Sequence, residues 1–247
     1  MSPQDIVKWL FFPGFNLHAQ LRYRLLPRYL EALGPSEGRR MLDAGCGNGM
    51  LSYQAYRRGN RVIGLTLKED EAKGCHRLFN ELLGIPEDRL SFRVKNLYEV
   101  RDLDMQFDEI VCSEVLEHIV RDAEVCRSFY EVLKSGGILH LCCPNAEHPD
   151  NANKVLDVSE RGGHVRPGYT MQSYRALLEP LGFRIINSIG LGGLIRQWFN
   201  SRIIRAQETN RPLLACVLFV AALPLLWMDW LLPSTPYSLY VKAQKPA

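Results

Sequence analysis

Apolar and polar positions change rhythm twice along this chain. In the first 40 residues they keep a helical spacing. After Asn16, a helix-capping residue type, apolar side chains recur at Leu17, Leu21, Leu25, Leu26, Leu30 and Leu33. Pro27 should kink this helix, and Gly34 with Pro35 should end it. From residue 40, short apolar runs alternate with amphipathic stretches. Arg40–Ala44, Arg61–Leu67, Leu90–Val94, Glu109–Cys112, Ile138–Cys142, Phe183–Ile189 and Ser238–Ala243 read as strands. Asp122–Leu133, closed by Lys134-Ser135-Gly136-Gly137, and residues 170–181 read as helices. This alternation predicts an α/β fold, with a mainly parallel sheet covered on both faces.

The second change comes before the last strand. Leu194, Ile195, Trp198, Phe199 and Ile203 recur at helical spacing, interleaved with Arg196, Gln197, Arg202 and Arg205. Such a helix suits a headgroup region. In Pro212–Pro233, Leu213–Met228 carries no charge and Asp229 is the only one. The length is close to the ~20 residues that span a bilayer. If Tyr237–Ala243 returns to the sheet, however, both ends lie on one side and a single crossing is excluded. Pro224 is expected to let the segment bend back as a shallow hairpin, with Trp227 and Trp230 at the interface and the apolar Trp9–Phe15 docked beside it. The expectation is a peripheral protein on the inner, cytoplasmic face of a membrane. The alternative is that these segments pack on each other or form a homodimer interface. The organisation is then 1–37 as helical lead-in or substrate lid, 38–190 as core, 191–236 as membrane-associating insertion, and 237–247 as final strand and tail.

The 247 residues are 47% hydrophobic and 23% charged, which suits one globular domain with extensions. A net charge of +3 is too weak a bias to favour nucleic acid. The seven cysteines are odd in number and lack a C-x-x-C pair, so neither a zinc knuckle nor a disulfide framework is indicated. Buried free thiols favour a reducing compartment. Met1–Phe15 lacks the basic start and cleavage site of a signal peptide.

Asp43-Ala44-Gly45-Cys46-Gly47-Asn48-Gly49 follows the first strand and opens a helix. Glycines there let backbone approach a ligand, and the helix start offers free N–H groups. Met50 replaces the third glycine of a dinucleotide fingerprint. Asp43 suits a cationic ligand group instead, such as the amino group of a methionine moiety, directly or through water. The acid plus G-x-G-x-G of residues 43–49, F-D-x-I-x-C-S-E-V-L-E-H at Phe107–His118, and Leu133–Gly137 together resemble the class I S-adenosylmethionine methyltransferases over about residues 38–190. The resemblance implies a Rossmann-like doubly wound, mainly parallel seven-stranded sheet. It also implies S-adenosyl-L-methionine as cofactor, held by Asp43, Gly45, Cys46, Gly47, Leu97 and Ser113. Where most of that family carries an acid at the end of the second strand, this chain has Thr66. Gly64-Leu65-Thr66-Leu67 is similar to the cyclopropane fatty acid synthase branch, where the threonine and a residue five further on, here Glu71, approach the adenosyl group. Asn96 stands where the family often has an aspartate near the adenine amine, and its oxygen can accept the same bond.

Glu114, Glu117 and His118 fall at i, i+3 and i+4, and the resemblance starts a helix there, on one face beside the cofactor's methyl group. His164, in a glycine-rich loop, is a fourth candidate. This arrangement resembles the ubiquinone-biosynthesis O-methyltransferases and the small-RNA 2′-O-methyltransferases. That resemblance implies that Glu114, Glu117, His118 and His164 hold a divalent metal such as Mg or Zn, which would lower the pKa of an acceptor hydroxyl. Without a metal, His118 or His164 is the general base and Glu114 lines the methionine pocket. His76 and His140 read as structural; His18 and His148 carry no assignment. The expected activity is methyl transfer to a hydroxyl of an amphipathic or lipid-linked acceptor at a membrane surface. The alternatives are carbon or nitrogen methylation of a lipid, including cyclopropanation, and a silent cofactor-binding scaffold.

Overall fold

The computed structural model describes residues 14–30, 38–160 and 162–247. The chain divides into two compact units. One comprises the chain up to Leu26 with Gly190–Ser238; the other comprises Pro27–Ile189 with Leu239–Ala247. The lead-in and the insertion, far apart in sequence, thus belong to one unit.

The larger unit is built on a seven-stranded sheet, ordered β3-β2-β1-β4-β5-β7-β6. The strands are β1 (Arg40–Ala44), β2 (Arg61–Thr66), β3 (Leu90–Val94), β4 (Phe107–Ser113), β5 (Leu133–Pro144), β6 (Arg184–Leu191) and β7 (Ser238–Gln244). β3, β2, β1, β4 and β5 pair in parallel. The N–H groups of Gly136 and Lys245 donate to Lys245 O and Gly137 O, at 3.0 and 2.9 Å. They set the end of β7 beside the start of β5, which makes the last strand antiparallel. All but the first residue of β1 and of β2 are buried, as a sheet covered on both faces requires.

The helices of this unit are α2 (Met50–Arg57), α3 (Glu69–Cys75), α4 (Asp122–Val132), α5 (Pro149–Ala152) and α6 (Met171–Leu178), and α3 runs on as a π-helical turn, His76–Leu82. α4 buries Val125, Cys126, Phe129 and Val132 against a core that includes Leu42, Leu65, Ile110 and Leu139. The fifth strand begins earlier than its apolar run suggests. Leu133 already pairs with Phe107, and the register then slips to Glu109↔Ile138. Lys134–Gly137 is therefore a bulge inside β5 and not a turn ahead of it; Gly136 supplies the left-handed residue (φ +77°). His140 is structural, fully enclosed between Glu109 (2.6 Å) and the Tyr240 hydroxyl (2.7 Å). His76 sits on the surface between Glu81 and Glu87. His148 caps α5 by accepting the Asp150 N–H.

In the smaller unit, Asn16 caps the lead-in helix α1 (Leu17–Tyr29) as expected, accepting the Ala19 N–H at 2.9 Å. The proposed stop at Gly34-Pro35 and the docking of Trp9–Pro13 lie outside the described residues. α7 (Leu194–Glu208) and α8 (Pro212–Ala222) form a hairpin, and α8 continues as a 3-10 helix, Leu223–Leu231. Ala206, Ala215 and Ala222 let the arms approach, and Leu17 and Ile203 complete a small core. Phe15 packs on Phe219, ring centroids 5.3 Å apart. One expectation is corrected here. The chain reverses at Thr209–Arg211, between the helices, and not at Pro224. Lacking an N–H, Pro224 marks the change from α to 3-10 winding, and the rod runs on. Pro212–Leu231 spans 20 residues with mean hydropathy 2.0 and is long and apolar enough to cross a membrane by length and composition, yet only 11% of its most apolar window is buried.

Candidate active site

A cleft of about 530 Å³ opens at the carboxyl ends of β1, β2 and β4, where doubly wound sheets bind ligands. Its floor is the turn after β1. Gly45, Gly47 and Gly49 all take left-handed backbone, at φ +89°, +50° and +76°. At Gly45 a Cβ would meet Val115 Cγ2 at 2.3 Å, so only glycine fits; at Gly47 a Cβ would meet nothing within 4 Å and would project into open space. Gly47 lines the cleft, so that bare backbone is a cradle kept clear for a ligand.

Of the expected cofactor residues, Gly45, Gly47, Thr66, Glu71, Asn96 and Leu97 line this cleft. Asp43, Cys46 and Ser113 do not. Asp43 and Cys46 are buried, and Ser113 closes β4. Asp43 is 1% exposed and accepts the Ser52 hydroxyl at 2.6 Å. Burial raises its pKa to about 6, against the opposing effect of the Ser52 bonds. Thr66 Oγ1 donates to Glu71 Oε2 at 2.6 Å, and Lys68 Nζ lies 3.1 Å from the other carboxylate oxygen. Threonine and glutamate thus form one polar edge in place of a strand-end acid. Asn96 Oδ1 accepts the Tyr98 N–H at 3.1 Å and keeps a second lone pair. Leu65, Leu67, Leu97, Val115 and Ile119 form the apolar walls.

Several cleft residues had no readable signal in the sequence. Tyr98 joins three segments: its hydroxyl donates to Glu160 (2.8 Å) and accepts the Arg121 N–H (3.2 Å), while the Arg121 guanidinium lies 4.5 Å from its ring. Glu160 also accepts the Val120 N–H and is itself left-handed (φ +55°). It reaches the cleft from a loop distant in sequence, which no local pattern announces.

The reacting end differs from the expectation in two ways. Glu114, Glu117 and His118 do not start an α-helix. Glu114 is left-handed (φ +57°), Leu116–His118 is a single 3-10 turn, and α4 begins only at Asp122. The Glu114 N–H is drawn to Cys142 O (2.7 Å), which breaks the strand-to-helix path. As a result the group with ligand atoms within 4.8 Å of one another is Glu117, His118 and His164; Glu114 lines the cleft apart from it. Glu117 is 1% exposed. His118 Nδ1 lies 2.8 Å from Gly163 O, a pure acceptor, so Nδ1 carries the proton and Nε2 offers a lone pair when the ring is neutral. That lone pair faces the Glu117 carboxylate at 3.9 Å. Two electron-rich atoms so placed call for a proton or cation between them. His164 meets His118 edge-on, centroids 4.6 Å apart. Burial, then Lys154 and His118, lower its pKa to about 4. Lys154 Nζ lies 3.4 Å from His164 Nε2 and competes for that nitrogen.

The sequence pattern of the mycolic acid cyclopropane synthetase family matches residues 17–168. The chain is also similar to the human mitochondrial ubiquinone biosynthesis O-methyltransferase, 28% identical over 167 residues, covering 64% of this chain but only 44% of the relative. The ubiquinone biosynthesis O-methyltransferase of Bordetella bronchiseptica is 32% identical over 166 residues, covering 62% and 68%. A solved magnesium protoporphyrin IX methyltransferase from Synechocystis, with bound S-adenosylhomocysteine, superposes with TM-score 0.61 at 17% identity, over 93% of this chain and 84% of that one. At that identity the likeness shows the fold.

Proposed function

Since the chain belongs to the mycolic acid cyclopropane synthetase family of S-adenosylmethionine methyltransferase folds, we propose that it transfers a methyl group from S-adenosyl-L-methionine to a hydroxyl of an amphipathic or lipid-linked acceptor met at a membrane surface. One observation carries the reading: the Glu117–His118–His164 cluster adjoins the cofactor cleft, and His118 faces both.

When bound, the cofactor supplies an electrophilic methyl group on a sulfonium, so the protein needs only to align the acceptor and take its proton. Gly45 and Gly47 would cradle the methionine end, with buried Asp43 attracting its ammonium. Thr66 and Glu71 would meet the ribose, and Asn96 the adenine amine. His118 Nε2, held by the Nδ1–Gly163 bond, would accept the acceptor's proton as the C–O bond forms and the C–S bond breaks. Glu117 would stabilise the resulting imidazolium. The same three side chains also fit a divalent cation in donor type and spacing, and such an ion would lower the hydroxyl's pKa.

Transfer assayed with methyl-labelled cofactor and a long-chain phenol tests the reading. Glu117→Gln should lower turnover by about 100-fold while cofactor affinity holds. Retained turnover in that variant would remove the cluster from the chemistry, and sensitivity to chelator decides between proton acceptor and metal. The Thr66–Glu71 edge and the family match favour a second reading, methylation or cyclopropanation at a lipid carbon. Every one of these products gains a net CH2, so the cofactor is labelled with a trideuteromethyl group: a methyl product keeps all of its deuterium, ring closure loses one, and cleavage by an ether-splitting reagent tells an O-methyl from a C-methyl group.

A further inference from the structure

The rod Pro212–Leu231 has two stripes. Ala215, Leu218, Phe219, Ala222 and Leu226 face the core shared with α7. Leu213, Val217, Val220, Trp227 and Trp230 stand 82%, 65%, 58%, 60% and 77% exposed. In a unit surrounded by water, that outer stripe would carry charges. None occurs between Leu213 and Met228. The one acid, Asp229, turns inward with 14% of its side chain exposed. Its Oδ1 accepts the Ile195 N–H at 2.8 Å and the Arg196 N–H at 3.3 Å, and its Oδ2 lies 3.7 Å from Arg196 Nε. These N–H groups belong to the first turn of α7, whose own cap residue is Gly193 and has no side chain to offer. The far end of one arm therefore caps the near end of the other, and the segment's only charge is removed from its outer surface.

The charge around this stripe is one-sided. Among the described residues of this unit, Arg22, Arg24, Arg196, Arg202, Arg205 and Arg211 stand against only Glu208 and Asp229. Arg205 and Arg211 flank the reversal of the hairpin, Arg202 lies earlier on α7 over the Trp198 ring, and all three are exposed. An uncharged stripe ending in tryptophans beside an excess of arginines over acids matches a leaflet with anionic headgroups better than it matches a protein partner.

We propose that Asp229 is a topological pin. By capping α7 across the hairpin it holds a segment long enough to span a bilayer as an in-plane arm, whose outer stripe enters one leaflet of an anionic membrane. This deepens the membrane-surface reading above and is independent of the methyl-transfer chemistry.

The full chain would be sedimented with phosphatidylcholine vesicles, with and without about one third phosphatidylglycerol. Depth would be read as the difference between wild type and Trp230→Phe in quenching by lipids brominated near the glycerol or near the chain ends. Binding should be at least about tenfold tighter on the anionic vesicles, reversible in alkaline carbonate, and quenched more by the shallow label. Leu213→Glu with Val217→Glu changes only exposed positions and should abolish binding. Asp229→Asn keeps an acceptor and should behave as wild type, whereas Asp229→Ala should shift Trp230 towards the deep label and resist carbonate. Absence of wild-type binding to anionic vesicles, or an Asp229→Ala depth equal to wild type, overturns the proposal. Titration of the same samples with S-adenosylhomocysteine keeps the two readings apart: vesicle binding without cofactor binding sinks the methyl-transfer reading alone, and the reverse sinks this proposal together with the membrane surface it deepens, leaving methyl transfer standing.

Discussion

α4 and α8 are both eleven-residue helices, and they solve opposite problems. α4 is two-faced: Val125, Cys126, Phe129 and Val132 are buried, while Arg121 and Glu124 pair on the outside at 2.8 Å. α8 is apolar all round. It buries only Ala215 and Ala222 and leaves Leu213 and Val217 in the open. In α4 large apolar side chains are fully buried and the charged ones face outward; in α8 the only fully buried residues are alanines, and Leu213, Val217 and Val220 stand exposed. The inward use of alanine lets α8 lie close to α7, and its large residues remain available for another phase. One helix is completed by its own fold, and the other leaves large apolar side chains uncovered.

The sharpest way to break this contrast is to truncate one large residue in each helix. Phe129→Ala should cost about 4 kcal/mol in urea unfolding, by lost burial and a residual cavity. Val217→Ala should change stability in solution by under about 0.5 kcal/mol. Comparable losses at the two sites would show that the outer stripe of α8 is covered within the protein.

The second test asks whether the cleft and the hairpin are separable. Gly47→Val fills the cradle without meeting a neighbour and should weaken S-adenosylhomocysteine by about 100-fold in calorimetric titration, while vesicle binding is unchanged. Gly45→Val drives a Cβ into Val115 and should abolish cofactor binding.

The smallest effect concerns the two inward-facing acids. Asp229 has backbone N–H groups to accept, whereas Asp43 is held mainly by Ser52, and burial raises its pKa from 3.8 to about 6. A carboxyl whose folded pKa is raised favours the protonated fold. Its contribution to stability is complete below pH 3.8 and is lost as pH rises through about 6, at most about 3 kcal/mol. A cationic ligand reverses the preference, so cofactor affinity should rise across the same window. Asp43→Asn should flatten both profiles; an affinity that stays level from pH 5 to pH 7 in the wild type would remove Asp43 from the cofactor site.

Much of the sheet was legible because its signals are local. A parallel strand covered on both faces is largely apolar, and a turn that takes left-handed backbone needs glycine, so β1, β2 and the Gly45–Gly49 turn stand out by composition. Thr66 and Glu71, five residues apart, were legible as a pair only through the likeness of Gly64–Leu67 to the cyclopropane fatty acid synthase branch. The reacting end was less so. A helical reading of residues 114–118 assumes ideal winding, and the pull of Cys142 O on the Glu114 N–H replaced that helix with a left-handed step and a 3-10 turn.

By itself, then, the sequence determined the α/β alternation, the glycine cradle and the presence of an uncharged run of membrane length. The tertiary structure alone decided that His118 is oriented by Gly163, 45 residues away, that Glu117 and His164 converge on it without Glu114, and that Asp229 caps a helix 34 residues earlier. The reason is physical. Hydrophobic period and backbone preference act between near neighbours and leave a trace in composition. A hydrogen bond between distant segments depends on where the fold brings them, and its donors and acceptors are present in nearly every residue.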